Sequence, residues 1–182
     1  MLLTTSCPIC HRPEGAPCPE CVELLVPADL PPPPHGLASL HAALVYEGAG
    51  RLLVQGLKFH DARGAVGWLA DAMVRRVPPD HGCDAVTWAP TSNGRRHDRG
   101  FDQAELLARA VARRLALPVG ATLRRRGGVA QTGRSGAERR SGVTLSSRVR
   151  SNCRMPSSIG SCSSICESCS KCIVTFHGSL LP

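Results

Sequence analysis

The sequence predicts an α/β fold preceded by a small cysteine-rich unit. Four of the ten cysteines stand in two CxxC pairs near the start of the chain. Further along, a short apolar segment is followed by a polar loop and then by an amphipathic helix, an order that is half of an α/β unit. At 182 residues the chain has room for one ordinary domain with small appendages.

The cysteine-rich unit, residues 1–26, contains Cys7, Cys10, Cys18 and Cys21. Two CxxC turns this close bring four thiolates within tetrahedral reach, so the spacing predicts a structural zinc site. Disulfides and a redox CxxC are the alternatives. Disulfides need an oxidising compartment, whereas the first residues do not resemble a signal peptide and favour a cytoplasmic protein. A redox CxxC normally opens a helix after a strand.

A proline-rich stretch at 27–37 is predicted to be a stiff linker into a domain spanning 38–150. The helices are predicted from apolar residues at helical spacing, and two prolines end the second of them. The predicted elements are a strand over 42–46, a short helix with Leu52, Leu53 and Leu57, a helix over about 64–76, a buried strand over 84–89 and a helix over 103–116.

The helix over 103–116 has the clearest signals. Asp102 is a favourable N-cap, and Glu105 stands three residues later, as in a capping box. Leu107, Val111 and Leu115 fall on one face, which predicts the side that packs against the core.

Charge is distributed unevenly. The net charge is +8, of which residues 95–150 alone contribute +10, from 14 arginines and four acidic residues. Such a block suggests an anionic partner, either a phosphate-bearing molecule or nucleic acid, although a solvated arginine surface is the alternative. No run approaches the ~20 apolar residues of a membrane span.

The loop between the buried strand and the last helix is the candidate ligand site. Open α/β sheets bind ligands beyond the carboxyl ends of their strands. Hydroxyl and guanidinium groups there could hold a phosphate or pyrophosphate, although an ordinary basic loop is equally consistent with them. The candidate residues are Thr91, Ser92, Arg95, Arg96 and Arg99.

Several segments resemble the ComF family of bacterial phosphoribosyltransferase-like proteins, over residues 1 to about 145. The four-cysteine unit belongs to the same pattern. The other segments are WAPTS at 88–92 and RHDRGFDQAELLA at 96–108, LKFH at 57–60, and QT at 131–132 with Ser135 and AERR at 137–140 in the flap.

This resemblance implies a type I phosphoribosyltransferase-like fold, with a parallel sheet and flanking helices. It also implies affinity for phosphoribosyl pyrophosphate and a role in DNA uptake alongside DNA-uptake proteins. The loop at 91–99 would hold pyrophosphate, Lys58 would lie near the site, and Arg139 and Arg140 would belong to the flap. Magnesium is expected only for a complete domain.

One departure from the family concerns the ribose-phosphate loop. Such enzymes place two acidic residues and a TTGAT-like turn after a strand, where backbone N–H groups bind the phosphate. Here no aspartate follows Asp102. We therefore expect an incomplete sheet, weak or absent binding of phosphoribosyl pyrophosphate, and no transferase activity.

Residues 151–182 differ in composition from the rest of the chain. They contain nine serines, five cysteines and no alanine, whereas residues 1–150 contain 20 alanines. We predict that this segment is disordered. We interpret the residues from about 146–151 onward as a frameshifted or replaced end of a longer gene. Cys162, Cys166, Cys169 and Cys172 could form a zinc or iron–sulfur site, but accidental cysteines are the favoured interpretation.

Two other kinds of protein fit the same sequence. One is a zinc-dependent adaptor that binds single-stranded DNA through its arginines, with an affinity that falls steeply with salt. The other is an unstable fragment without activity, because half of a sheet exposes strand edges and apolar faces.

Overall fold

The computed structural model describes residues 6–33, 38–126, 144–147 and 172–175. Five helices and four short strands lie in these ranges. In chain order they are α1 (Pro19–Val22), α2 (Gly48–Phe59), α3 (Ala65–Val74), β1 (Ala85–Trp88), α4 (Asn93–Arg99), α5 (Gln103–Leu115), β2 (Leu123–Arg126), β3 (Thr144–Ser147) and β4 (Cys172–Thr175).

Strand β1 has parallel neighbours on both sides. It pairs along its length with β4, and Val86 also forms a parallel bridge with Val119. The Val86 N–H donates to the Pro118 carbonyl at 2.8 Å, and the Gly120 N–H donates to the Val86 carbonyl at 3.0 Å. The chain runs from β1 through α5 to this bridge, which is the helical crossover that parallel strands require.

One part of the core lies where α5 packs against α3 and β1. Alanines on α5 let the helix approach closely, and Val86 and Trp88 of β1 fill the space beneath it. Arg114 ties the two helices together at the surface, because its guanidinium donates to the Asp71 carboxylate and, at 2.9 Å, to the Gly67 carbonyl.

The other part of the core joins α2 to the cysteine-rich unit. Leu53 and Leu57 of α2 are fully buried, and Ile9 from the cysteine-rich unit packs against their cluster. Gly56 permits this contact, since a Cβ atom there would lie 2.5 Å from the Pro8 Cβ atom.

Strands β2 and β3 form an antiparallel pair in which Leu123 lies opposite Ser147. The predicted flap residues Arg139 and Arg140, and the other flap residues at 131–138, lie outside the described residues.

Three predictions about local structure differ from what is observed. The strand predicted over 42–46 is wrong: the segment bends, and Val45 donates one backbone hydrogen bond to Val26. Its apolar Leu44 instead packs against the α2 cluster.

The predicted loop at 91–100 is helical over α4 and ends at Gly100, whose φ of +73° suits a C-terminal glycine. Glu105 pairs with Arg109 rather than completing a capping box.

Four residues of the serine- and cysteine-rich segment 151–182 form β4. The sequence CIVT at 172–175 carries two β-branched apolar residues, which suit a strand. Disorder was predicted for this whole segment; β4 is a strand, and the rest of 151–182, including Cys162, Cys166 and Cys169, lies outside the described residues.

Candidate functional site

The four cysteine sulfurs of the N-terminal unit converge. The Sγ atoms of Cys7, Cys10, Cys18 and Cys21 all lie within 4.8 Å of one another, and those of Cys10 and Cys18 are 3.5 Å apart. A tetrahedral ion with metal–sulfur bonds of about 2.3 Å places its sulfurs about 3.8 Å apart. All four thiols are free of disulfide bonds. The predicted clustering is confirmed, and the arrangement is compatible with one metal ion.

Two different turns hold the sulfurs in place. The first is a loop closed by hydrogen bonds from the His11 N–H to the Cys7 carbonyl and from the Cys7 N–H to the Arg12 carbonyl, both 2.8 Å. The second is the start of α1, where the Cys21 N–H donates to the Cys18 carbonyl at 3.1 Å. Each turn brings its own two cysteines together.

The four thiols have different electrostatic surroundings. Cys7 and Cys18 are fully buried, whereas Cys10 is exposed. Burial raises the pKa of Cys7, but backbone hydrogen bonds from Cys10, Cys18 and Ile9 outweigh it and lower the pKa to about 6. Burial raises the pKa of Cys21. Four thiolates at this spacing repel one another, so ionising all of them requires a cation.

The basic segment at 91–99 follows the carboxyl end of β1. The buried side chain of Asp102 connects the start of this segment to the start of α5. One carboxylate oxygen accepts the Thr91 N–H at 2.9 Å, and the other accepts the Ala104 N–H at 3.0 Å. The polar segment between β1 and α5 is therefore closed by a single side chain.

The predicted anion-binding residues occupy different positions within this segment. Thr91 and Ser92 are half-buried directly after β1, and Arg95 lies in the first turn of α4. Arg96 is exposed on the same helix. Arg99 donates to the Gln103 side-chain oxygen at 3.1 Å.

Lys58 has a different setting from these arginines. It is buried near the end of α2, where its ammonium lies 5.5 Å from the centre of the Tyr46 ring. The neighbouring Phe59 ring lies under the Arg99 guanidinium, 5.0 Å away, so the LKFH segment does approach α4. A role for Lys58 in ligand binding stays a prediction.

Sequence reasoning missed two features of the site. Arg63 lies 4.5 Å from the centre of the Phe101 ring, a second arginine–phenylalanine contact beside the first. Asp102 was predicted as a helix cap, but its bond to Thr91 was not predicted. A basic residue near each phenylalanine was the only signal in the sequence, and it could not reveal which turns meet.

No protein-family model, no curated protein and no solved structure matches this chain. In the part of the chain that the structure describes, no helix is long and apolar enough to cross a membrane.

Proposed function

We propose that Cys7, Cys10, Cys18 and Cys21 bind one structural zinc ion. Four thiolates are soft ligands that select zinc over magnesium or calcium. A site with four protein ligands leaves no open position for chemistry, so its role is structural. The buried cluster around these cysteines contains little besides the cysteines and Ile9. Metal binding would therefore supply most of the unit's folding free energy, on the order of 10 kcal/mol.

We propose further that the chain is a ComF-like protein of the phosphoribosyltransferase class that binds a pyrophosphate group at residues 91–99. The placement of this basic segment directly after β1, a strand with parallel neighbours on both sides, carries the proposal. Ligands of open α/β sheets bind at that edge. Hydroxyls at Thr91 and Ser92 and the guanidinium groups of Arg96 and Arg99 are the groups that recognise phosphate oxygens.

Binding is confined to the pyrophosphate half of the ligand. No acidic pair follows Asp102 to hold ribose hydroxyls. Phosphoribosyl pyrophosphate should therefore bind no more tightly than inorganic pyrophosphate, and transfer of the phosphoribosyl group is not expected. A role in DNA uptake is part of the same proposal, through the resemblance to the family.

Calorimetric titration of the zinc-loaded chain with both ligands, with and without magnesium, tests this proposal. We expect weak, salt-sensitive binding of similar affinity for the two. The double substitution Arg96→Ala with Arg99→Ala should abolish it, whereas Arg109→Ala with Arg113→Ala, which removes the same charge from α5, should preserve it. Magnesium-dependent, micromolar binding of phosphoribosyl pyrophosphate would contradict the proposal that the chain binds only the pyrophosphate half of this ligand. No binding of either ligand would refute the anion site.

A nucleic-acid adaptor is the second candidate function. It is favoured by the +10 charge of residues 95–150 and by the exposed Arg96, Arg113 and Arg124. Binding to single-stranded DNA should then weaken steeply as salt rises. Substituting Arg95, Arg96 and Arg99 together by alanine separates the surfaces: if DNA binding survives, the basic segment is not the contact.

A further inference from the structure

Two turns of the chain exchange arginine–phenylalanine contacts. Phe59 ends α2 and Arg63 lies in the turn after it, while Arg99 ends α4 and Phe101 lies just before α5. The Arg99 guanidinium lies 5.0 Å from the Phe59 ring centre, and the Arg63 guanidinium lies 4.5 Å from the Phe101 ring centre. Each turn therefore places its arginine over the ring of the other. We call these four residues the arginine–phenylalanine cluster.

This cluster fixes one end of α4. A helix of seven residues is marginal by itself, because the cost of starting a helix is spread over few hydrogen bonds. Most of its described side chains are exposed, so packing adds little. The Thr91–Asp102 bond holds the chain before the helix, and the Arg99 contacts with Phe59 and Gln103 hold its last residue.

The helix that carries Phe59 also supports the four-cysteine unit. Gly56, three residues before Phe59, lies against Pro8 of the first CxxC turn. Ile9, between the first two cysteines, packs both on the cysteines and on the α2 cluster that contains Leu53 and Leu57. A continuous set of contacts therefore runs from the cysteines through α2 to α4.

We infer that Phe59 is a positioning residue that couples the four-cysteine unit to α4, so that metal binding orders the basic segment. This inference rests on the proposed zinc site and anion segment. Coupling between two sites is reciprocal, so an anion bound at α4 raises the affinity for the metal by the factor by which the metal raises the affinity for the anion.

Amide hydrogen exchange on the zinc-loaded full chain tests the first step. Phe59→Leu keeps an apolar side chain but removes the ring, and Leu52→Ala, at another exposed apolar position of α2, is the matched control. We expect Phe59→Leu to accelerate exchange over 93–101 about two- to fivefold, the size of an exposed cation–π contact, and to leave the interior of α5 unchanged. An unchanged rate, or the same acceleration in Leu52→Ala, overturns the inference.

Separating the cysteine unit from α2 tests the second step. Gly56→Ala drives a Cβ atom against Pro8 while all four cysteines remain. With zinc bound one to one, it should also accelerate exchange over 93–101, and it should add little once Phe59→Leu is present. If the effects of the two substitutions on the exchange rate over 93–101 add in full, coupling through Phe59 is refuted. It is also refuted if Gly56→Ala leaves that exchange rate unchanged. Because zinc stays bound, global unfolding after metal removal does not confuse the result.

Ligand binding is measured separately, with inorganic pyrophosphate as the probe. If pyrophosphate fails to bind wild-type protein, the anion proposal fails while the exchange results still decide the coupling. If pyrophosphate binds, Phe59→Leu should weaken it about two- to fivefold and Leu52→Ala should not. Equal affinities in all three proteins would show that Phe59 does not position the arginines.

Discussion

The Asp102 carboxylate accepts the backbone N–H of Thr91 at 2.9 Å, across eleven positions in the chain. Its other oxygen accepts the Ala104 N–H at 3.0 Å and caps α5. Asp102 is only 5% exposed, so water cannot readily replace either bond. One buried side chain thus closes the basic segment and starts the helix behind it.

Replacing Asp102 should therefore destabilise the protein through both bonds. Loss of an N-cap costs about 1 kcal/mol, and a buried N–H left without an acceptor costs about 1–3 kcal/mol. We expect Asp102→Ala to lower the free energy of unfolding, measured in urea, by about 2–4 kcal/mol. Asp102→Asn retains one carbonyl acceptor and should lose about half as much. The cap alone is worth about 1 kcal/mol. If Asp102→Ala lowers the free energy of unfolding by less than about 0.5 kcal/mol, this account is therefore contradicted.

Metal content provides a direct test of the four-cysteine site. Protein purified without chelator should contain one zinc ion per chain by elemental analysis. Cys18→Ser removes a fully buried ligand and should abolish this zinc and lower Tm, because metal binding is folding free energy for so small a unit.

Cys83→Ser is the matched control for that experiment. Cys83 lies outside the cluster and is half-buried. It should retain one zinc ion per chain, and its Tm should stay near that of the wild type. Loss of zinc in both variants would show that the metal is not held by the four-cysteine set.

Gly56 should not tolerate a side chain. Alanine there would overlap Pro8, and overpacking of this kind costs about 1–3 kcal/mol, more than the ~0.5–1 kcal/mol that alanine gains in a helix. We expect Gly56→Ala to lower the free energy of unfolding. Gly67→Ala on α3 meets only the Arg114 side chain, at 3.7 Å, and should be neutral or stabilising. Equal effects of the two substitutions would remove the evidence for the Pro8 contact.

The Asp71–Arg114 pair predicts a dependence of stability on acid. Hydrogen bonds from Arg114 hold the pKa of Asp71 below its ordinary value. The stabilisation is therefore fully present above the ordinary aspartate pKa of about 3.9 and is lost as the pH falls through the lowered pKa of the folded protein.

Urea denaturation between pH 7 and pH 2 measures this effect. Wild type should be more stable than Asp71→Asn at neutral pH, and the difference should shrink as the solution is acidified below about pH 4. Arg114→Ala should show the same pH profile as Asp71→Asn, and the double variant should lose less than the sum. A difference that stays constant with pH would rule out the ion pair as its source.

Local signals in the sequence predicted the three longest described helices, α2, α3 and α5, and the strand β1. The helix predicted over 103–116 is observed over Gln103–Leu115 with Asp102 as its N-cap, because an amphipathic pattern and a cap act within one element. The strand predicted over 84–89 is observed over Ala85–Trp88. The segment 42–46 has a strand-like composition but no partner strand among the described residues, and a strand without a partner leaves its backbone groups unpaired.

The candidate site was predictable in its residues rather than in its contacts. Two CxxC pairs at short spacing can converge by turn geometry alone, so the four-cysteine cluster could be predicted from the chain. The arginines of 91–99 could also be named as candidate anion ligands, which stays a prediction. Their helical conformation was not predicted, because α4 is too short to be stable by its own propensity and depends on Asp102 and Phe59.

By itself the sequence determined the four-cysteine cluster, the amphipathic helices and the basic segment after a buried strand, since each is encoded within a few neighbouring residues. Only the tertiary structure decided that Pro8 packs on Gly56 and that β4 pairs with β1. It also decided that the Arg99 guanidinium lies over the Phe59 ring and the Arg63 guanidinium over the Phe101 ring. These contacts join residues far apart in the chain. Their stability depends on how whole elements pack, which no local pattern of residues encodes.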